Sequence, residues 1–297
     1  GLGKKSLLNI IQSGVTISDL MSMDIDAIGG YVKGAGKKAA YEALSSHFIE
    51  YQDRAEDILN EMRKNGIEII VYSDSLYPSL YTKISDPPAF LFAKGNVQLL
   101  NKRKSLAIIG TRECSEFGKQ IAFNTADYFA NRDFNIVSGL ALGIDTAGHK
   151  GALSANGKTT AILTDIDKIY PKENIKLAED ILANEGLLIA ENPPGTYPNR
   201  GLFVSRDRLQ SALSLAVFPI ETDIKGGTMH TVRFSEEQGR PLFCPDLSKI
   251  SKYPNNFAKS RGIIELINTN RAKAYSRSNY DEISALLKKS EEFLWDM

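Results

Sequence analysis

The stretch LAIIGTRECSEFGKQIAFNTADYFANRDFNIVSG, residues 106–139, begins and ends with a short apolar run that stops at a glycine. The segment between the two runs has the length of a crossover helix. Ser115 stands where it can cap that helix, and Ala122, Ala126 and Phe129 recur at the spacing of one buried helix face. The stretch therefore predicts a strand–helix–strand unit with two parallel strands.

The same alternation continues along the chain, with helix-compatible stretches between further short apolar runs. It predicts an α/β fold of the extended Rossmann-like, doubly wound type, with a mostly parallel sheet. Ligands of such sheets bind at the carboxyl ends of the strands, so the residues just after each strand are the functional candidates. The predicted strands are LAIIG (106–110), FNIVSG (134–139), TAILT (160–164), LLIAE (187–191), LAVFPIE (215–221) and PLFCP (241–245).

Two regions complete the predicted organisation. Residues 1–65 are helical in pattern and predict a small N-terminal domain of the SAM or helix-hairpin-helix kind. Within them, VKGAGKKAA (32–40) resembles a turn that aims N–H groups at a DNA phosphate, but a tight turn between packed helices explains the same glycines. Residues 66–297 form the predicted core, whose sheet edge is extended by GIEIIVY (66–72) and AFLFAKG (89–95).

The formal charge of the 297-residue chain is zero, with 36 basic and 36 acidic residues. A chain with this balance is not a general polyanion binder, so a nucleic-acid site must be a local patch. Two basic clusters are expected to converge at one edge of the sheet, although a solvated surface explains each of them as well. They are Lys102, Arg103 and Lys104 with Arg112, and Arg200 and Arg206 with Arg208.

Apolar runs are short and interrupted by charge, and the N-terminus lacks a signal pattern, so we expect a cytoplasmic protein with no membrane partner. Cys114 and Cys244 form neither a disulfide framework nor a metal-ligand cluster and are expected to be structural thiols. His149 and His230 lack the companions that a metal site or a catalytic triad requires. No cofactor, metal or catalytic residue is therefore predicted.

Small-residue turns suited to phosphate follow three of the strands. GTR (110–112) combines a glycine turn with an arginine before a helix, without the GxGxxG dinucleotide pattern. SGLALGID (138–145) ends in Asp145, which either caps the next helix or receives a ligand hydroxyl. KGGT (225–228) presents N–H donors and a hydroxyl ahead of another helix, and it is too short for a Walker P-loop.

Phe203 precedes Arg206 and Arg208 in a predicted helix after the fourth strand. An aromatic ring beside two arginines binds single-stranded nucleic acid, because every base has a face to stack on and every nucleotide carries a phosphate. A core position at the start of the helix explains Phe203 as well. The spacing alone leaves both interpretations open.

In this order the motifs resemble those of the DNA-processing protein A (DprA, or Smf) family, over residues 66 to 280. The resemblance implies a homodimer that binds single-stranded DNA, protects incoming DNA and helps to load the RecA recombinase during natural transformation, with no reaction catalysed. The motifs are GTR (110–112), SGL (138–140), GID (143–145), YPKEN (170–174), Glu191 with PPG (193–195), Phe203 with Arg206 and Arg208, and GT (227–228).

The resemblance also implies which residues contact DNA. The sequence departs from the family pattern at Asp207, which stands where an asparagine is usual, at Val204 in place of a proline, and at Gly226 in place of a serine. Lys225 is added to the implied residues because of its charge and position. The expected DNA-binding residues are Arg112, Ser138, Gly139, Phe203, Arg206, Arg208, Lys225, Gly227 and Thr228.

A nucleotide enzyme of the same superfamily is the competing hypothesis. Phosphoribohydrolases cleave the base from a nucleoside monophosphate with a PGGxGT turn and a glutamate on the next helix, which KGGT (225–228) and SEE (235–237) match in part. The acid–base carboxylate would then be Glu191, Glu221 or Asp145. A nucleotide-sensing module that binds without hydrolysis is a third possibility.

Overall fold

The computed structural model describes residues 2–34, 36–250, 253 and 257–295. The N-terminal region is helical, as its pattern predicts. A capping box starts its second helix, where the Thr16 hydroxyl accepts the N–H of Asp19 and the Asp19 carboxylate accepts the N–H of Thr16. Residue 35, in the candidate helix-hairpin-helix turn, lies outside the described residues. The helices are α1 (Lys4–Ser13), α2 (Ile17–Ser22), α3 (Ile25–Ile28), α4 (Gly36–Ser46) and α5 (Phe48–Lys64).

The central sheet contains, within the described part of the chain, β1 (Ile67–Val71), β2 (Phe90–Gly95), β3 (Ser105–Ile109), β4 (Asn135–Ser138), β5 (Thr159–Leu163), β6 (Leu187–Ala190) and β7 (Val217–Pro219). Their order is β1-β2-β6-β5-β4-β3-β7. The strands β3 to β7 run parallel, whereas β1 and β2 are antiparallel to their neighbours at one edge. This topology confirms the predicted doubly wound, mostly parallel fold and its extension by the two preceding segments.

The sixth predicted strand, PLFCP (241–245), leaves the central sheet. Leu242 forms an isolated parallel bridge to Val217, after which β8 (Phe243–Pro245) pairs with β9 (Lys273–Tyr275) in a separate parallel sheet. The prediction of a sixth strand in the main sheet is therefore wrong, because beyond Leu242 the segment pairs with a later part of the chain instead of with β7.

Helices cover both faces of the central sheet. Successive side chains of β3 point to opposite faces, so that Ile108 packs in one apolar cluster with Phe129, and Ile109 packs in another with Leu209. The helices of the core are α6 (Glu116–Ala130), α7 (Ile144–Ser154), α8 (Ile175–Ala183), α9 (Arg200–Ala212), α10 (Thr228–Glu237), α11 (Arg261–Asn268) and α12 (Tyr280–Trp295).

The direction of the strands separates the basic residues into two groups. Arg112 follows β3 and lies at the carboxyl edge of the sheet, whereas Lys102 and Arg103 precede β3 and lie at the opposite edge. There Lys102 Nζ lies 2.6 Å from a carboxylate oxygen of Asp133, and Arg103 Nε lies 3.3 Å from one of Glu291. The expectation that both basic clusters converge at one edge is therefore wrong.

The cysteines are buried to different degrees. Burial raises the pKa of the partly buried Cys114 thiol to about 11, and that of the fully buried Cys244 thiol further. Thiols with raised pKa values are poor nucleophiles. Among the described residues, no cluster of His, Cys, Asp and Glu side chains is arranged to hold a metal ion, and no helix has the length and apolar character needed to cross a membrane.

Candidate nucleic-acid pocket

A cavity of about 700 Å³ opens beyond Ile109 at the carboxyl end of β3. It is lined by the turn after β3 (110–113), by one face of α9, and by residues of the segment 222–231, which runs from the end of β7 into α10. Parallel strands bring their carboxyl ends to one edge, where the loops leave a crevice for a ligand. The cavity therefore lies where the strand pattern predicts a binding site.

Phe203 lies near the start of α9 and lines this cavity. The guanidinium carbon of Arg112 lies 5.3 Å from the centroid of the Phe203 ring, and that of Arg206 lies 5.9 Å from it. The centroid of the Tyr170 ring lies 5.7 Å from that of Phe203. Aromatic rings and guanidinium planes both stack on bases. The structure thus brings together three residues that the sequence predicts for the site, Arg112, Phe203 and Arg206, and it places Phe203 at a wall of the cavity.

One face of α9 forms that wall. Arg200, Phe203, Asp207 and Gln210 follow one another at intervals of three or four residues, which places them on the same side of the helix, and all four line the cavity. The helix begins after Asn199, whose side chain accepts a backbone N–H of the first turn. The wall therefore presents a cation, then an aromatic ring, then an acid and an amide.

Arg206 is 7% exposed and is held by backbone carbonyls. Its Nη1 donates to the carbonyl of Gly139 at 2.8 Å and also to the carbonyl of Ile162. A Cβ atom at position 139 would collide with the guanidinium, so Gly139 makes the room that Arg206 occupies. Gly139 itself lies behind Arg206, whereas part of Arg206 lines the cavity.

Asp145 fixes the loop after β4. Its Oδ2 accepts the N–H groups of Gly139 and Ala141 at 3.1 and 3.4 Å, and the N-cap position of α7 is Gly143. Burial raises the pKa of Asp145, although the Arg206 charge and these N–H groups oppose the rise. The interpretation of Asp145 as a helix cap is wrong, whereas its contact with a ligand stays a prediction, because Asp145 also lines the cavity.

Two of the residues expected to bind DNA have side chains inside the protein. Arg208 is 5% exposed, and its Nη1 and Nη2 lie 3.1 and 2.9 Å from the two carboxylate oxygens of Glu191. The hydroxyl of Ser138 is buried and donates to the carbonyl of Ile108 at 2.6 Å. Residues two apart on a helix do not share a face, which separates Arg208 from Arg206. As placed, both side chains stabilise the fold, and their contact with DNA stays a prediction.

The turn before α10 supplies backbone donors to the cavity. Gly226, Gly227 and Thr228 line it. The N-cap position of α10 is Gly227, so no side chain at this position accepts the first N–H groups of the helix. The N–H groups of the two residues after Thr228 already donate to the carbonyls of Gly226 and Gly227. Those of Gly227 and Thr228 have no hydrogen-bond partner among the described residues and are suited to an anion. Lys225 is exposed beside this turn and is not one of the lining residues, so its contact with DNA also stays a prediction.

Lys259 lines the cavity from a distant part of the sequence. The N–H of Gly262 donates to the carbonyl of Thr222 at 2.9 Å, which holds the start of α11 against the turn after β7. Lys259 Nζ lies 3.4 Å from a carboxylate oxygen of Glu113, another lining residue. No motif identifies Lys259, because its position depends on the chain returning to this edge after the last strand of the central sheet.

Asp207 places an acid among these cations. Its Oδ1 accepts a hydrogen bond from the Gln210 amide at 2.9 Å and lies 3.3 Å from Arg206 Nε. Burial raises the pKa of Asp207 to about 6; the nearby Asp145 carboxylate adds to the rise, while the Arg206 and Arg112 charges oppose it. The carboxylate is therefore ionised at pH 7 and above.

The other carboxylates considered for acid–base chemistry make structural contacts. Glu191 pairs with Arg208 and lies 3.1 Å from Lys4 Nζ. Glu221 is fully buried and accepts the hydroxyls of Tyr253 and Ser115, each at 2.6 Å. Ser115 also caps α6, as predicted. Glu191 and Glu221 lie outside the lining of the cavity.

A family model described as DNA recombination-mediator protein A matches residues 68–288. The chain belongs to this family. The matched residues run from β1 into α12 and contain every segment that lines the cavity. The resemblance drawn from the sequence motifs is thereby confirmed.

Curated relatives are somewhat more than a third identical to this chain over the aligned residues. The DNA processing protein DprA of Bacillus subtilis is 35% identical over 212 residues, which is 71% of this chain and 71% of the relative. Protein Smf of Synechocystis is 36% identical over 192 residues, 62% of this chain and 47% of the relative. The DprA protein of Streptococcus pneumoniae is 38% identical over 171 residues, 57% of this chain and 60% of the relative.

Two solved structures share the fold. The X-ray structure of DNA processing protein A from Streptococcus pneumoniae gives a TM-score of 0.76 at 28% identity, covering 93% of this chain and 90% of that one. DNA processing protein A from Helicobacter pylori, described for its single-stranded DNA binding mode, gives a TM-score of 0.65 at 31% identity, covering 75% of this chain and 96% of that one.

Proposed function

We propose that this protein binds single-stranded DNA in the cavity at the carboxyl edge of its sheet and acts there as a recombination mediator, not as an enzyme. The observation that carries the proposal is that three groups line one cavity: the Phe203 ring, the Arg112 guanidinium 5.3 Å from it, and the turn at Gly227. Within the described residues, the N–H groups of Gly227 and Thr228 have no hydrogen-bond partner. The ring supports a base, and the cation and the N–H groups hold phosphates. Membership of the recombination-mediator family supports the same function.

Further aromatic residues lead from the cavity into solvent. Tyr197 is 86% exposed and lines the same cavity as Tyr170 and Phe203. Arg200 lines it as well. Several aromatic rings and a cation in one cavity suit a strand whose bases stack on the protein. The proposed site therefore accommodates more than one nucleotide.

The proposal extends to the role of the bound strand. The protein, as a homodimer in the bacterial cytoplasm, protects incoming DNA during natural transformation and passes it to RecA. The family description as a recombination mediator supports this role. The helical residues 1–65 form a separate small domain in the proposal. Lys4 contacts Glu191 of the core residues 66–297, and Met62 packs in an apolar cluster with Ile67 and Phe92.

Fluorescence anisotropy of a labelled single strand of mixed sequence, titrated at two salt concentrations, tests the proposal. We expect affinity that falls steeply with salt, better competition by single strands than by duplex, and no competition by mononucleotides. Arg112→Ala weakens binding and lowers the salt slope by about one. Lys102→Ala removes a charge at the opposite edge of the sheet and leaves both unchanged.

The same titration distinguishes DNA binding from the alternative function, that of a nucleotide enzyme. Displacement of the strand by a nucleoside monophosphate, followed by release of free base, would contradict the proposal and favour a phosphoribohydrolase. Binding that is insensitive to salt, or an Arg112→Ala variant with the wild-type affinity and slope, would show that DNA does not bind in this cavity.

A further inference from the structure

The α9 wall of the cavity ends near a hydrogen-bond acceptor, the carboxylate of Asp207. Asp207 Oδ1 accepts from Gln210, whereas no residue in the described part of the chain donates to Asp207 Oδ2. Because a carboxylate only accepts, this contact sets the Gln210 amide with its NH₂ group toward Asp207. The Gln210 carbonyl oxygen is buried, so the acceptor at the surface of the cavity is the Asp207 carboxylate. An occupant of this region is therefore best matched when it donates hydrogen bonds.

Asp207 also makes this region unsuitable for a phosphate. Its carboxylate neutralises Arg206, which is the nearest cation and is already tied to backbone carbonyls. Two other arginines line the cavity: Arg200 at the start of α9 and Arg112 in the turn after β3. They remain available for the phosphates. The charges thus assign the phosphates to one part of the cavity and leave a neutral group for the part beside Asp207.

The spacing along α9 brings a stacked base to this carboxylate. Phe203 and Asp207 are four residues apart on one helix face, which corresponds to a rise of about 6 Å. From the centre of a pyrimidine to its exocyclic group is roughly 3 Å, and a hydrogen bond adds about 3 Å. This reach equals the rise between the two residues, so a base stacked on Phe203 with its hydrogen-bonding edge directed along α9 can bring that edge to the Asp207 carboxylate.

On the basis of the proposed function, we infer that Asp207 makes the cavity selective for bases with an exocyclic amino group, so that cytosine binds better than uracil or thymine. Cytosine N4 donates to a carboxylate, which is the usual pairing of Asp or Glu with this base. In uracil and thymine the corresponding O4 is an acceptor, and the N3–H lies between two carbonyl oxygens that repel a carboxylate. Adenine and guanine carry amino groups and belong to the favoured class.

Oligo-dC and oligo-dU of equal length test this inference, because the two bases differ only at positions 3 and 4 of the ring. Anisotropy titrations at pH 8 and constant salt should show that the wild-type protein binds oligo-dC about tenfold more tightly, the effect of one hydrogen bond to a charged group. Asp207→Asn introduces an amide that both donates and accepts, and the ratio should fall to about twofold or less. Asp57→Asn, the same charge change on the exposed surface of α5, should leave the ratio unchanged.

The outcomes separate this inference from the function on which it rests. Equal, salt-sensitive binding of both strands by the wild-type protein would overturn base selectivity and leave single-stranded DNA binding intact. No binding of either strand would overturn the proposed function as well. A preference for oligo-dC that survives in Asp207→Asn would overturn the assignment of selectivity to this carboxylate.

Discussion

Replacing Arg208 with methionine breaks a buried ion pair and decides whether this arginine acts in the fold or on DNA. Arg208 bonds both oxygens of Glu191, and its Nε donates to the carbonyl of Asp86 at 3.0 Å. Its removal leaves Glu191 buried, with the half-exposed Lys4 at 3.1 Å as a charged neighbour. Removing one partner of a buried ion pair costs about 3–5 kcal/mol. Because Lys4 still compensates part of the Glu191 charge, we expect a loss at the lower end, about 3 kcal/mol.

Thermal melts and DNA titrations measure the two roles separately. A loss of about 3 kcal/mol lowers the Tm of a domain of this size by roughly 6–12 °C. Adding Glu191→Gln to the Arg208→Met variant removes the buried charge that has lost its arginine partner, and it should recover about 2 kcal/mol of that loss. DNA affinity, measured well below the Tm, should match that of the wild-type protein.

The pH dependence of the same variant has a defined sign. Contacts with Arg208 and Lys4 lower the pKa of Glu191 despite its burial. The pair therefore stabilises the fold above the ordinary pKa of glutamate, and this contribution is lost as the pH falls through the lowered value. The difference in stability between wild type and Arg208→Met should narrow in acid. A Tm within about 2 °C of wild type at pH 7, or DNA affinity lost to the extent seen in Arg112→Ala, would refute the structural role.

Three further substitutions test the cavity. Arg112→Ala should lower DNA affinity at least about tenfold yet change the free energy of unfolding by less than about 0.5 kcal/mol, because Arg112 is exposed; a large fall in Tm would contradict this. Asp207→Asn should stabilise the protein at pH 8 by about 1–3 kcal/mol, because the raised pKa of about 6 makes the ionised carboxylate unfavourable in the fold. That gain should vanish below about pH 4, where the carboxyl group is protonated in both the folded and the unfolded protein. If melts at about pH 8 and below about pH 4 show the same Tm difference between the variant and wild type, the raised pKa of Asp207 is not the cause of the gain. Gly139→Ala should cost about 2–3 kcal/mol, because the new methyl group displaces the guanidinium of Arg206 from its carbonyl partners; a wild-type Tm would show that Arg206 moves freely.

Local sequence determined most of the sheet and the position of the binding edge. Strands such as LAIIG (106–110) and TAILT (160–164) are apolar runs short enough to identify without their neighbours, and β3 and β5 lie within one residue of these bounds. Helix-length segments between them make the strands parallel, and parallel strands place their functional turns at one edge. The cap of α6 by Ser115 follows from the same local pattern.

Only the tertiary structure decided which partner each of these segments and side chains finds. The PLFCP segment (241–245) has the composition of a strand, but its pairing with Lys273–Tyr275 depends on a later part of the chain. Arg206 and Arg208 are alike in sequence, yet one lines the cavity and the other pairs with Glu191, because they project from different sides of one helix. Lys259 lines the cavity although no sequence motif predicts that it does. Periodicity along the chain is a local property, whereas burial and ion pairing depend on which distant residues the fold brings within a few ångströms.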